Sequence, residues 1–254
     1  MASTTVASRI VGRLTTTMAR FGFNLSRRLS GRPSITEAHR CLLRQCLPHP
    51  RPTVVDIGAN VGQFAGEVFG VCRQAQIFSI DPIPDNIAAC RRRFADKDGY
   101  RTLQAAIGAV SDQSVTFHVH PYSQASSMLP LSEAARDSFR SLQAETTVIQ
   151  VPMYCLDDVV RQHGLGPIDL LKIDVEGFEA PVLRGAGQTL RDCRWLLVET
   201  QVQPMFEGAE PFDLVCAIAR SAGFSISAVA AETRNNCGEL LMLDLLFARS
   251  KREG

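Results

Sequence analysis

Lysine is nearly missing from this chain. Of 27 basic residues only Lys97, Lys172 and Lys251 are lysines; the rest are arginines. No C-x-x-C pair occurs among the eight cysteines, which are scattered, with Cys193 and Cys216 beside apolar neighbours. That pattern fits buried free thiols in a reducing compartment and argues against a disulfide framework. No apolar run reaches the ~20 residues of a membrane span. The first 30 residues also hold no apolar core of a secretory signal. A cytoplasmic protein is expected, with peripheral membrane contact as an open alternative. There is no nucleophile elbow G-x-S-x-G, and no Ser/His/Asp arrangement stands out. A net charge of +1 gives no case for nucleic acid as a partner.

What is present is ordinary globular material. At 45% hydrophobic and 21% charged, the 254 residues exclude a disordered, collagen-like or coiled-coil chain. The length suits one domain with an appendage. Arg9, Arg13, Arg20, Arg27, Arg28 and Arg32 precede the first acid, Glu37, so the remainder is net acidic. On a helical wheel Val6, Ile10, Leu14, Met18, Phe21 and Leu25 fall on one side, with Arg9, Arg13, Arg20 and Arg27 on another arc. This basic amphipathic pattern has three readings: a docking helix, a membrane-surface helix or an organellar transit peptide. Residues 1–50 are therefore expected to form a basic N-terminal helical extension, and 51–254 the main domain.

A helix is predicted around Thr36–Cys46, then a Pro-rich linker. Strands are predicted at Thr53–Ile57, Gln76–Asp81, Tyr100–Ile107, Ile168–Asp174, Trp195–Thr200, Phe224–Val229 and Leu241–Ala248. Most are apolar runs without alternation, as in strands buried on both faces. Helices are predicted at Val61–Cys72, Pro84–Phe94, Phe178–Leu190 and Pro211–Ala222. Alternation of this kind indicates a doubly wound, Rossmann-like α/β sheet. An insertion from about Ser111 to Val160 carries two further strands, Ser114–His118 and Thr147–Met153.

The chemistry gathers at strand ends. The first strand runs into Asp56-Ile57-Gly58-Ala59-Asn60-Val61-Gly62, where glycines let a backbone approach a ligand closely. The spacing is not the dinucleotide fingerprint. A strand-end carboxylate repels pyrophosphate but suits a cationic ligand bearing an amine and a sulfonium, as S-adenosylmethionine does. Asp81, followed by Pro82, stands at the second strand end, where a ribose diol is held in nucleoside-binding α/β folds. Gln104 and Ala105 follow the third strand, small enough to leave room for a flat base, with Gln104 able to bond its edge. The fourth strand ends in Asp174-Val175-Glu176-Gly177-Phe178-Glu179, and Glu199 closes the fifth. Close acids raise one another's pKa and so supply a general base near neutrality. They can also gather a divalent cation, though no metal is assigned. Glu176 and Glu179 have a second reading as favourable charges at a helix N-terminus. His118 and His120 lack a third ligand nearby.

These residues resemble the FkbM family of S-adenosylmethionine-dependent methyltransferases. Leu171–Glu179 with Val182-Leu183-Arg184-Gly185-Ala186 is the most specific stretch, and Val55–Gly62 is the second hallmark. Ser126-Ser127-Met128 and Leu156-Asp157-Asp158-Val159 also match. The resemblance covers about Arg51 to Gln201 and implies a class I methyltransferase sheet of seven strands, the last antiparallel. It implies O-methylation, commonly of sugar or polyketide hydroxyls. Two positions depart from the family: Asp81-Pro82 stands for Glu-Pro, and Gln104 for Asn, each changing the reach of a hydrogen-bonding side chain.

The combined expectation is a methyltransferase transferring the sulfonium methyl to a hydroxyl of a saccharide or glycolipid. Asp174, then Glu176, would accept the proton, with Glu199 on the same rim. Asp56, Gly58, Ala59, Asn60, Gly62, Asp81, Pro82, Gln104 and Ala105 would hold the cofactor. Ser126, Ser127 and Tyr122 would shape the acceptor pocket. The alternatives are a methyltransferase acting on a protein or small nitrogen acceptor, and a non-catalytic, membrane-associated nucleoside-binding protein.

Overall fold

The computed structural model describes residues 35–250 apart from 122, 139–143 and 236. The basic segment ahead of residue 35 and Tyr122 thus lie outside the described residues. A helix, α1 (Ile35–Cys46), leads into strand β1 (Thr53–Ile57). Then come α2 (Gln63–Val71), β2 (Gln76–Asp81), α3 (Pro84–Arg93) and β3 (Tyr100–Gln104). β4 (Ala106–Gly108) leads into the insertion, which holds β5 (Gln113–Val119), α4 (Glu133–Ser138) and β6 (Thr147–Cys155). The chain returns through α5 (Leu156–Gln162), β7 (Leu170–Ile173), α6 (Glu179–Arg184), α7 (Gly187–Asp192) and β8 (Trp195–Gln201). It ends with α8 (Phe212–Ser221), β9 (Phe224–Arg234) and β10 (Leu240–Arg249).

The main sheet has seven strands in the order β3-β2-β1-β7-β8-β10-β9. β3, β2, β1, β7 and β8 are parallel, while β10 runs antiparallel to both its neighbours. The expected class I methyltransferase sheet is therefore present. Its strands are buried on both faces because successive side chains enter different cores. Val55, Ile57, Leu171, Ile173, Leu196 and Val198 pack against α6 to α8. Val54, Leu170, Leu197 and Leu246 pack against α1 and α2 on the other face. Burial of each such side chain contributes roughly 1.5–3 kcal/mol, and alternation would have left one face unfilled.

Two expected elements are divided. The predicted strand Tyr100–Ile107 changes sheets at Ala105, whose N–H donates to the Asp81 carbonyl at 3.3 Å. Beyond it, β4 joins a three-stranded sheet of order β4-β6-β5. The predicted helix Phe178–Leu190 breaks between α6 and α7 at Gly185, where a Cβ would lie 2.0 Å from the Gly108 carbonyl oxygen. The last hairpin is longer than expected, since β9 continues to Arg234 along a largely exposed edge.

α1 runs down the sheet toward the start of β1. Its end, at Leu43, Cys46 and Leu47, packs with Val54 and Leu170. Nearer its start, His39 pairs with Glu67 of α2 at 2.7 Å and acts electrostatically on Asp244 of β10. All eight cysteines are free, and Cys46, Cys90, Cys193 and Cys216 are buried. Among the described residues no helix is long and apolar enough to cross a membrane.

Candidate active site

The turn after β1 is held by the ends of its neighbours. Gly58 and Ala59 both donate to the Ile80 carbonyl, at 2.9 and 3.1 Å, and Asp174 N–H donates to the Ile57 carbonyl at 3.0 Å. Gly58, Asn60 and Gly62 take positive φ values of 79°, 47° and 79°, the left-handed region that glycine enters at least cost. Asn60 is braced by its side chain, which accepts from Val61 N–H at 2.8 Å and donates to Ser123 Oγ at 3.0 Å. A Cβ on Gly62 would meet the Phe94 ring at 2.7 Å, so this glycine lets α2 start against α3.

Asp81 lies at the end of β2 and is buried, with 5% exposure. Its Oδ2 accepts from Asn60 N–H at 2.8 Å, while Oδ1 accepts from Ile83 N–H at 2.9 Å and Asn86 Nδ2 at 3.0 Å. Burial pushes its pKa up to about 6 against these donors. Pro82 is buried beside it, Gln104 is its register partner on β3 with an exposed side chain, and Ala105 is buried. One lone-pair direction remains on Oδ2 for a diol. Asp81 thus also organises the turn, a task the sequence did not disclose.

Asp56 sits behind the turn. It is fully buried, with Lys172 Nζ at 3.7 Å from Oδ1 and Ser79 Oγ at 3.5 Å from Oδ2. Burial raises its pKa despite the ammonium. Lys172 reaches on to Asp174 Oδ2 at 2.8 Å. Burial opposes its charge, but Asp174 and Asp56 outweigh that and hold its pKa above the ordinary lysine value. Sequence reasoning gave Lys172 no role. Its signal was there: a lysine in a lysine-poor chain, set in the apolar run Leu170-Leu171-Lys172-Ile173.

Asp174, Glu176 and Glu199 come together as expected. Each offers a carboxylate oxygen, and these oxygens lie within 4.8 Å of one another. Glu199 follows from β8 pairing with β7, and Asp244 lies opposite it on β10. Burial, then Asp174 and Glu179, raises the Glu176 pKa well above its ordinary value. Burial, then Asp174 and Glu176, does the same for Glu199. Asp244, missed from the sequence, is pushed up to about 6, chiefly by burial and then by Asp174. Glu199 Oε1 is buried without a hydrogen-bond partner among the described residues. Part-buried carboxylates with one ammonium beside them suit a positively charged ligand centre and reject pyrophosphate. A sulfonium-bearing cofactor fits this mouth.

Glu179 does something else. Its Oε1 accepts from Gly177 N–H at 3.0 Å and Val175 N–H at 3.3 Å, closing the turn before α6. Asp157 likewise caps α7, accepting from the backbone of Gln188 and Thr189 at 2.8 and 2.7 Å. The insertion roofs the mouth. Ser127 Oγ donates to the Glu176 carbonyl at 2.7 Å, and Ser126 Oγ accepts from His120 N–H at 3.0 Å. Leu131 and Ala135 of the insertion pack on Phe206, in the loop after β8.

The FkbM methyltransferase domain matches residues 56–226, well over half of the chain. This protein belongs to that family. It is similar to the 2-O-methyltransferase NoeI of Sinorhizobium fredii, 31% identical over 185 residues that cover 70% of this chain and 74% of that protein. It is also similar to the 31-O-demethyl-FK506 methyltransferase FkbM of Streptomyces tacrolimicus, 26% identical over 212 residues, covering 74% and 79%. A solved O-methyltransferase from Klebsiella pneumoniae aligns at a TM-score of 0.47 with 12% identity, covering 95% of this chain and 90% of that one; the strand order carries the fold assignment without it. This FkbM-family protein is an S-adenosylmethionine-dependent methyltransferase.

Proposed function

We propose that this FkbM-family protein methylates a hydroxyl of a saccharide or glycolipid, with Glu176 as the base. The observation that carries the reading is the cluster of Glu176, Glu199 and Asp174 under the insertion. The names of the two relatives support hydroxyl chemistry, since both describe O-methyl transfer. Asp81, Gln104, Ala105 and the turn from Gly58 to Gly62 would hold S-adenosylmethionine, with Asp56 and Lys172 fixing that turn from below. Bound there, the cofactor supplies an electrophilic methyl group for direct displacement.

The protein's own part is positioning and proton removal. Holding two reactants in line supplies much of the rate. Asp174, the first choice from sequence, has one oxygen tied to Lys172 at 2.8 Å, which weakens it as a base. Among the described residues Glu176 makes no ion pair, Lys172 acting on it only at longer range, and its raised pKa makes it a stronger proton acceptor once ionised. The arginine-rich, acid-free sequence ahead of α1 supports a lipid-linked acceptor presented at an anionic surface.

The test is product analysis. Saccharide and glycolipid extracts incubated with enzyme and S-adenosylmethionine should yield a species heavier by one CH₂, in a base-stable ether. Methyl transfer confined to amines or to protein would overturn the reading.

A further inference from the structure

We infer that Gln201 is a positioning residue for Glu176, its amide turned toward that carboxylate by the backbone of Met205. Gln201 ends β8 and is buried, with 4% exposure. Its Oε1 accepts from the Met205 N–H at 3.0 Å. A backbone N–H can only donate, so it fixes which end of the amide is oxygen. The NH₂ end is then left to face Glu176, with Nε2 at 3.5 Å from Oε2. A glutamine placed the other way would set oxygen against oxygen.

Glu176 needs such support. It has a left-handed backbone, φ 54°, followed by Gly177 at φ 92°, a conformation a non-glycine residue keeps only when its surroundings impose it. Ser127 clamps its carbonyl from the insertion and is itself oriented by Leu129 N–H, at 3.0 Å from Oγ. Gln201 then meets the carboxylate itself from the end of β8. Around that carboxylate stand Lys172 from β7, Asp174 just beyond it, Glu179 from α6, Glu199 from β8 and Asp244 from β10. Four of these five are acids, and Lys172 is already engaged by Asp174. An amide donor favours the ionised form without adding a charge.

The contact reaches back to the acceptor roof. Met205 lies in the loop that the insertion grips: Ser132 N–H donates to the Met205 carbonyl at 3.0 Å, and Glu207 N–H to the Pro130 carbonyl at 2.8 Å. Docking of the insertion on this loop, the orientation of Gln201 and the aim of Glu176 therefore form one connected unit.

This inference rests on Glu176 as the base, and its test separates the two. The Glu176 carboxyl is titrated in the full chain by NMR with carboxyl-labelled glutamate, its signal assigned by Glu176→Gln. Methyl transfer into glycolipid extract is followed over the same pH range. Gln201→Leu removes the donor, so the midpoint should rise by about one pH unit, the size of one hydrogen bond to a charged group. Gln201→Glu keeps an oxygen for Met205 N–H and should raise the midpoint further. The acid limb of the rate should move with it, so that the loss is largest at low pH. An unchanged midpoint in both folded variants would overturn the inference, as would a rate lowered equally at every pH. Glu176→Gln with undiminished transfer would sink the base assignment instead, while a shifted midpoint in the Gln201 variants would leave the contact between Gln201 and Glu176 standing.

Discussion

The carbonyl oxygen of Asp174 occupies the place where a side chain on Gly58 would begin, 1.7 Å from the position of its Cβ. The first hallmark turn and the strand end that carries the carboxylates are thus packed backbone to backbone. Gly58→Ala must move one of them and also put a side chain on a residue with φ 79°. Overpacking and left-handed strain each cost about 1–3 kcal/mol. Urea unfolding should show a loss of about 3 kcal/mol or more, with cofactor binding lost in whatever remains folded.

Asp81→Ala removes the acceptor for Asn60, Ile83 and Asn86 together with the lone pair offered to a ribose. Affinity for S-adenosylmethionine should fall by roughly 1.5–3 kcal/mol, the worth of a charge-assisted hydrogen bond. Calorimetry measures this directly. Unchanged affinity would mean that the diol is held elsewhere.

Stability should depend on pH in an unusual direction. Burial raises Asp81 from 3.8 to about 6 and Glu179 from 4.5 to about 7. Both are buried, at 5% and 3% exposure. The folded chain then binds protons that the unfolded chain has released. The stabilisation is complete below the ordinary carboxylate pKa and is lost as pH rises through the raised values. Thermal melts of the ligand-free protein should fall between about pH 4 and pH 7, by on the order of 3 kcal/mol for each two-unit shift. A flat or rising profile would contradict the burial of these two acids.

Removing residues 1–33 tests the lipid-linked acceptor. The full chain should sediment with anionic phosphatidylglycerol vesicles, and a chain starting at Ser34 should not. Each arginine near the surface adds about 1 kcal/mol, and the attraction should fade at 1 M salt, where the Debye length is about 3 Å. A sharp fall in melting temperature with no vesicle binding in either chain would support the docking reading of this segment instead.

Much of this was legible in the chain because burial writes itself plainly. Strands filled from both faces read as apolar runs, and each parallel strand was placed within a few residues. The convergence of Asp174, Glu176 and Glu199 followed from strand-end position alone. The missed features depend on contacts between distant segments. Tyr100–Ile107 gives no local sign that it changes sheets at Ala105. Nothing near Gly185 announces the Gly108 carbonyl that needs the space. The roles of Lys172 and Gln201 arise from partners on other strands or loops, and the second task of Asp81 went unread because its turn-making donors were invisible in sequence.

The most direct test of the account compares Glu176→Gln with Asp174→Asn for methyl transfer into glycolipid and saccharide extracts, at saturating S-adenosylmethionine. Removing a general base lowers turnover by roughly 10²–10⁴-fold. The account predicts that loss for Glu176→Gln, with cofactor affinity retained. It predicts a smaller loss for Asp174→Asn, whose carboxylate is already held by Lys172. Full activity in Glu176→Gln alongside a crippled Asp174→Asn would contradict it.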